Sequence, residues 1–269
     1  MKISRRRSVA LLGIMALILA STLLFLYLKS NSNQTSTYTE SRDLISRMKQ
    51  LNAQWETEIL KARIAINHNY DPLVTPLTEM TLLWERFDTM SSNHSRNTSP
   101  VWLTSHDAYL SAFEEKIRLV EQFKSHNAVL RNSLAFLPTA EDDIQEPLAQ
   151  LQDGDKLQLQ NIANDTYDLV LSTMEFAMVT SDDKAAEILV GLSKLKVNKL
   201  RLPEEFHSPL DVLNNHIELI LREQPVVNRL LENIEAIPVA ERLDGITDLL
   251  NNDQQRTDAV DQRYHFYML

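Results

Sequence analysis

The sequence predicts an all-α protein: two tandem up-down helical bundle modules preceded by one transmembrane helix. Three observations predict it. Only four of the 269 residues are glycine and 7% are aromatic, too few for the turns and strands of a β protein. Apolar residues recur at steps of three and four along most of the chain, the period of a one-sided helix. One uncharged stretch near the N-terminus is long enough to cross a bilayer.

That stretch is residues 9–28, "VALLGIMALILASTLLFLYL". Twenty residues rising about 1.5 Å each match a hydrocarbon core of roughly 30 Å. Lys2, Arg5, Arg6 and Arg7 precede it, and basic flanks stay inside. Residues 1–8 are therefore expected in the cytoplasm and the bulk of the chain outside it. A cleaved signal peptide competes with this reading. Its apolar core is shorter, about 7 to 15 residues, and ends in small residues, whereas this run ends "LFLYLKS". An uncleaved anchor is the better fit.

Residues 30–39, "SNSNQTSTYT", are small and polar and read as a linker. Leu44, Met48, Leu51, Trp55, Ile59, Ala62 and Ile66 then form one apolar stripe. Asp71 and Pro72 suit the start of a second helix, as N-cap and first-turn residue. "SSNHSRNTSP" (91–100) reads as a loop. A third stripe follows through Leu103, His106, Leu110, Phe113, Ile117, Val120, Phe123, Asn127, Leu130, Leu134 and Leu137. Breaks are expected at Pro138, 152–155, 180–183, Pro203, Pro225 and Pro238.

The chain also resembles itself. At an offset of 100, Leu110, Ile117, Leu119, Leu130, Pro138, Ala140 and Glu141 meet Leu210, Ile217, Leu219, Leu230, Pro238, Ala240 and Glu241. At an offset of 97, "NHNYD" (67–71) meets "NDTYD" (164–168). Leucine matches arise by chance between helices, but the two polar motifs recur in the same order. A duplicated module is expected, 40–138 and 139–265. The chain closes on "YHFYML", and residues 266–269 read as the start of a second membrane span.

Five of the 27 basic residues precede residue 30, leaving 22 against 37 acids, a net charge of −15. So acidic a surface disfavours nucleic acid and anionic lipid. With no cysteine, disulfide scaffolds and thiolate metal sites are excluded. The seven histidines show no ligand spacing, "DGDKLQL" lacks most positions of a calcium loop, and no glycine-rich phosphate loop occurs. No catalytic residue, metal site or cofactor is expected, and the chain does not read as an enzyme.

One polar cluster stands out in "RIAINHNYDPL" (63–73). Arg63, Asn67 and Tyr70 are spaced by four and three, so a helix would present them on one face. Asp71 adds an acid. Asn127 lies in phase with an apolar stripe, and a buried amide needs partners. Arg131 follows one turn later. An up-down-up path brings the two groups to the same height. Arginine offers a planar fork for carboxylates, and Asp with Tyr suits an amine. An amino acid, amine or organic acid would fit Arg63, Asn67, Tyr70, Asp71, Asn127 and Arg131. The same residues also suit a plain helix corner, with Arg63 paired to Asp71, and the sequence leaves both readings open.

"ILKARIAINHNYDPLV" (59–74), "FKSHNAVLRNSLAFLP" (123–138), "HIELILREQP" (216–225) and "AIPVAERLDGI" (236–246) together resemble the DAHL family. These are double all-helical ligand-binding domains of bacterial membrane receptors. The resemblance implies an extracytoplasmic sensor domain on the inner membrane, two membrane spans, a cytoplasmic output such as a histidine kinase or diguanylate cyclase, and action as a homodimer. The alternative is a membrane-anchored structural helical protein working through protein contacts.

Overall fold

The structure is a computed structural model describing the backbone of residues 2–66, 69–92, 99–150 and 156–268. Side chains are described over 13–25, 37–66, 69–91, 99–148, 159–259 and at 262. All regular elements among the described residues are helical. They are α1 (Lys2–Arg63), α2 (Asp71–Ser92), α3 (Pro100–Gln150), α4 (Lys156–Met178), α5 (Asp182–Lys199), a 3-10 turn (Glu204–Phe206), α6 (His207–Glu235) and α7 (Val239–Met268).

The residues group into two compact units, and α1 and α3 each contribute to both. The first holds Met1–Thr57, Asp71–Ser111 and Val239–Leu269. Its core follows the sequence period. Leu44, Met48, Leu51 and Trp55 are buried on α1, and Val239, Leu243, Ile246 and Leu250 on α7. Steps of four and three keep each row on one side of its helix, the geometry of a packed bundle seam. Trp84 stacks on Tyr109 with ring centroids 4.1 Å apart. Burial of an apolar side chain of this size contributes about 1.5–3 kcal/mol. The Tyr38 hydroxyl donates to Asn251 Oδ1 at 2.6 Å, and Lys49 pairs with Asp244.

The second unit holds Glu58–Tyr70 and Ala112–Pro238. On α3, Phe113, Val120, Phe123, Asn127, Leu130 and Leu137 are buried as the stripe requires, and Ile144 extends the row. On α6 the row is Leu213, Ile217, Ile220, Gln224, Val227 and Ile234. Gly191 of α5 faces α4 so closely that a Cβ there would lie 2.8 Å from Leu169 Cδ1.

Several expectations are corrected. The polar run 30–39 is part of α1 and helical throughout. Pro138 and Pro225 lie inside α3 and α6 rather than between helices. An interior proline costs about 3 kcal/mol, but Leu137, Ala140, Ile144 and Leu148 around Pro138 are all buried, and that burial outweighs the lost bond. The two Asn-x-x-Tyr-Asp stretches are not equivalent: Tyr70 and Asp71 sit at a helix junction, whereas Asn164, Tyr167 and Asp168 lie within α4. The units also cut across the boundary at 138/139, because α3 runs on to Gln150. Leu103, expected in the third stripe, is exposed, and Trp102 and Tyr109 are buried there instead.

Among the described residues no helix is long and apolar enough to cross a membrane. The expected span 9–28 has described side chains only over 13–25, and the side chains of 266–269 lie outside the described residues.

Candidate functional site

The site starts where α1 stops. The Ile66 N–H donates to Lys61 O at 3.1 Å and the Ala65 N–H to Ala62 O at 3.4 Å, the crossed pair of a Schellman motif. That motif needs a left-handed residue, and Ala65 supplies it with φ 61°. Glycine is usual there, since a Cβ costs about 1–2 kcal/mol in this conformation. Ile66 is exposed, past the end of the apolar row.

Asn127 holds the corner from α3. It is fully buried, and its Nδ2 donates to Ala62 O and to the Tyr70 hydroxyl, both at 3.1 Å. The first bond satisfies a carbonyl in the last turn of α1. The second fixes the ring of Tyr70. Asn127 Oδ1 is buried without a hydrogen-bond partner.

A pocket of about 610 Å³ opens beside this corner, wholly within the second unit. Its volume falls within the roughly 300–1,000 Å³ of small-molecule sites. Arg63, Tyr70, Arg131 and Asn132 supply the polar lining. Ile64 and Ala65 come from the corner, Ala128, Leu134 and Ala135 from α3, and Met174, Ala177 and Met178 from α4. Among the described residues, two guanidinium groups line it and no carboxylate does.

Arg63 is half-buried. Its Nη2 donates to Asn228 Oδ1 at 3.5 Å, and no acidic partner meets it among the described residues. Burial pushes its pKa below the ordinary value, yet a guanidinium stays charged at neutral pH. Asn228 is itself anchored: its Oδ1 accepts from Gln224 Nε2 at 2.9 Å, and its Nδ2 donates to Thr180 Oγ1 at 3.0 Å. Arg63 is thus positioned by neutral amides that leave its charge uncompensated.

Of the residues singled out from sequence, Arg63, Tyr70 and Arg131 line the pocket, and Asn127 braces Tyr70 from behind. Asn67 lies outside the described residues. Asp71 does not line the pocket; it opens α2 in the first unit, next to Pro72. An acid suits the positive end of a helix. Met174, Ala177, Met178 and the Asn228–Gln224 pair were not legible from the sequence. Met178 carried the one available signal, an apolar residue at a helix end just before "TSDD".

Among the described residues, no group of three or more His, Cys, Asp or Glu could hold a metal ion. An all-helical chain of long continuous helices with a pocket set at a helix junction has the architecture of a helical sensor domain. The family model described as the DAHL domain matches residues 33–265, and the chain belongs to that family. That family is one of sensor domains. No curated protein and no solved structure matches it.

Proposed function

We propose that this chain is the extracytoplasmic, ligand-binding part of a bacterial transmembrane receptor, and that the pocket at the α1–α2 corner receives a small molecule. The observation that carries the reading is the place of Arg63. It is the last residue of α1 and it lines the pocket. A ligand engaging it therefore acts on the same helix that begins at Lys2.

The N-terminal part of α1 supports a membrane anchor. Residues 13–25 are exposed on every face, including Ile14, Leu17, Ile18, Leu24 and Phe25. A helix apolar all round needs an apolar surrounding. Its one described hydroxyl contact, from Thr22 Oγ1 to Ile18 O at 2.8 Å, needs no water. Lys2, Arg5, Arg6 and Arg7 orient the anchor with the N-terminus inside. Signal then passes to a cytoplasmic output, with two copies acting together.

The experiment is a thermal-shift screen of the full chain in detergent, using amino acids, amines and organic acids. A hit whose binding is lost when Ala177→Trp fills the pocket supports the reading. A hit indifferent to that substitution overturns it.

A further inference from the structure

We infer that the pocket selects a carboxylate with an apolar body, and rejects amines and amino acids. The inference rests on the small-molecule reading of this pocket and narrows it to one chemical class.

Charge decides the head group. A buried amine is best matched by a carboxylate, and none lines the pocket among the described residues. Asp71, which adjoins Tyr70, does not line it, nor does Glu175 beside Met174. The lining charges are Arg63 and Arg131. Arg63 has only the long bond to Asn228 and no acidic neighbour among the described residues. A half-buried cation so placed gains most from an anion that brings its own charge, and the guanidinium fork matches a carboxylate edge to edge. Elsewhere the chain beyond residue 29 carries a net −15, so an uncompensated cation stands out. The Tyr70 hydroxyl, fixed by Asn127, gives a neutral donor on the same lining.

The walls decide the body. Met174 and Met178 are unbranched and polarisable, and thioethers pack well against ring edges and alkyl chains. Ala128, Ala135 and Ala177 leave space for that body without adding polar groups.

The test uses the full chain in detergent and two matched series: phenylacetate, phenylacetamide, phenethylamine and phenylalanine, then hexanoate and hexanol. Phenylacetate and hexanoate are expected to raise the melting temperature, and their neutral, cationic and zwitterionic counterparts are not. Calorimetry on Arg63→Gln should show carboxylate binding weakened by about ten- to a hundredfold, the loss of one charged hydrogen bond. Asn228→Asp is nearly isosteric and neutralises Arg63 in place, so it should weaken carboxylates equally while the apo melting temperature holds. Amine or amide binding at least as tight as the carboxylate, and lost in Ala177→Trp, overturns the carboxylate assignment but keeps the pocket reading. Carboxylate binding that survives Ala177→Trp and both charge variants overturns the assignment and the pocket reading. So does the absence of any shift with all six probes at millimolar concentration.

Discussion

The side chain of Asn127 donates to the hydroxyl of Tyr70 across 57 positions of sequence, at 3.1 Å. The same nitrogen also holds Ala62 O. One buried amide therefore ties the end of α1, the junction after it and the middle of α3. It does so directly behind a residue that lines the pocket. The helix corner read from the sequence is present, and the pocket opens against it.

Asn127→Leu should destabilise the protein by about 1–3 kcal/mol, because Ala62 O and the Tyr70 hydroxyl both lose a partner in a buried setting. Tyr70→Phe removes only one of these bonds, and about 0.5–1.5 kcal/mol is expected. Urea unfolding of both single variants and the double variant measures the coupling. Additive losses would show that the bond carries no stability of its own.

Ala65 pays for the turn in backbone strain, since it holds φ 61° with a Cβ. Ala65→Gly removes that strain and should stabilise by about 1 kcal/mol. Ala65→Val, branched at Cβ, should destabilise. Thermal unfolding checks both signs, and a destabilising Ala65→Gly would argue that the Ala65 methyl is needed where it lines the pocket.

Much of the fold was legible because packing follows period. Six of the seven residues in the first stripe, from Leu44 to Ala62, are buried. Proline misled. It marks a boundary only where no long-range burial opposes it, and at Pro138 and Pro225 burial wins. The same Pro-x-Ala-Glu string lies inside α3 at 138–141 and spans the start of α7 at 238–241, so local sequence did not determine its context. At the site, helical phase on α3 gave Asn127 and Arg131, but the expected helix face shared by Arg63 and Tyr70 does not form: α1 stops at Arg63 and Tyr70 sits in the junction before α2. The α4 wall was not legible, because which helix approaches α3 is settled by tertiary contacts. The bond from Gln145 Nε2 on α3 to Ala163 O on α4, at 2.8 Å, is one such contact.

Asp71 separates helix chemistry from ligand chemistry. It sits in the first turn of α2 and does not line the pocket. Asp71→Asn keeps a side-chain acceptor for the first-turn N–H groups and should cost no more than about 0.5 kcal/mol. Carboxylate affinity should be unchanged within error. A drop in affinity with Asp71→Asn, read by calorimetry, would place this acid in the ligand's surroundings.

Acid stability should depend on Glu223. Its carboxylate is buried and accepts from His126 Nδ1 at 2.6 Å and from Arg222 Nε at 2.8 Å. Burial alone would raise its pKa, but the bonds from His126 and Arg222 outweigh that and hold it below the ordinary 4.5. A carboxylate with a depressed folded pKa binds fewer protons folded than unfolded. Its contribution is therefore fully present above the unfolded value and is lost as the pH falls through the folded one. The melting temperature should hold steady from neutral pH down to about 5 as far as this group is concerned, then fall as the carboxylate is protonated. Glu223→Gln should lower stability at pH 7 by about 1.5 kcal/mol, since two donors lose a charged acceptor. It should also flatten the acid limb, because the titrating group is gone. Melting curves of both proteins between pH 3 and 7 decide it: parallel acid limbs would mean that other carboxylates carry the acid transition.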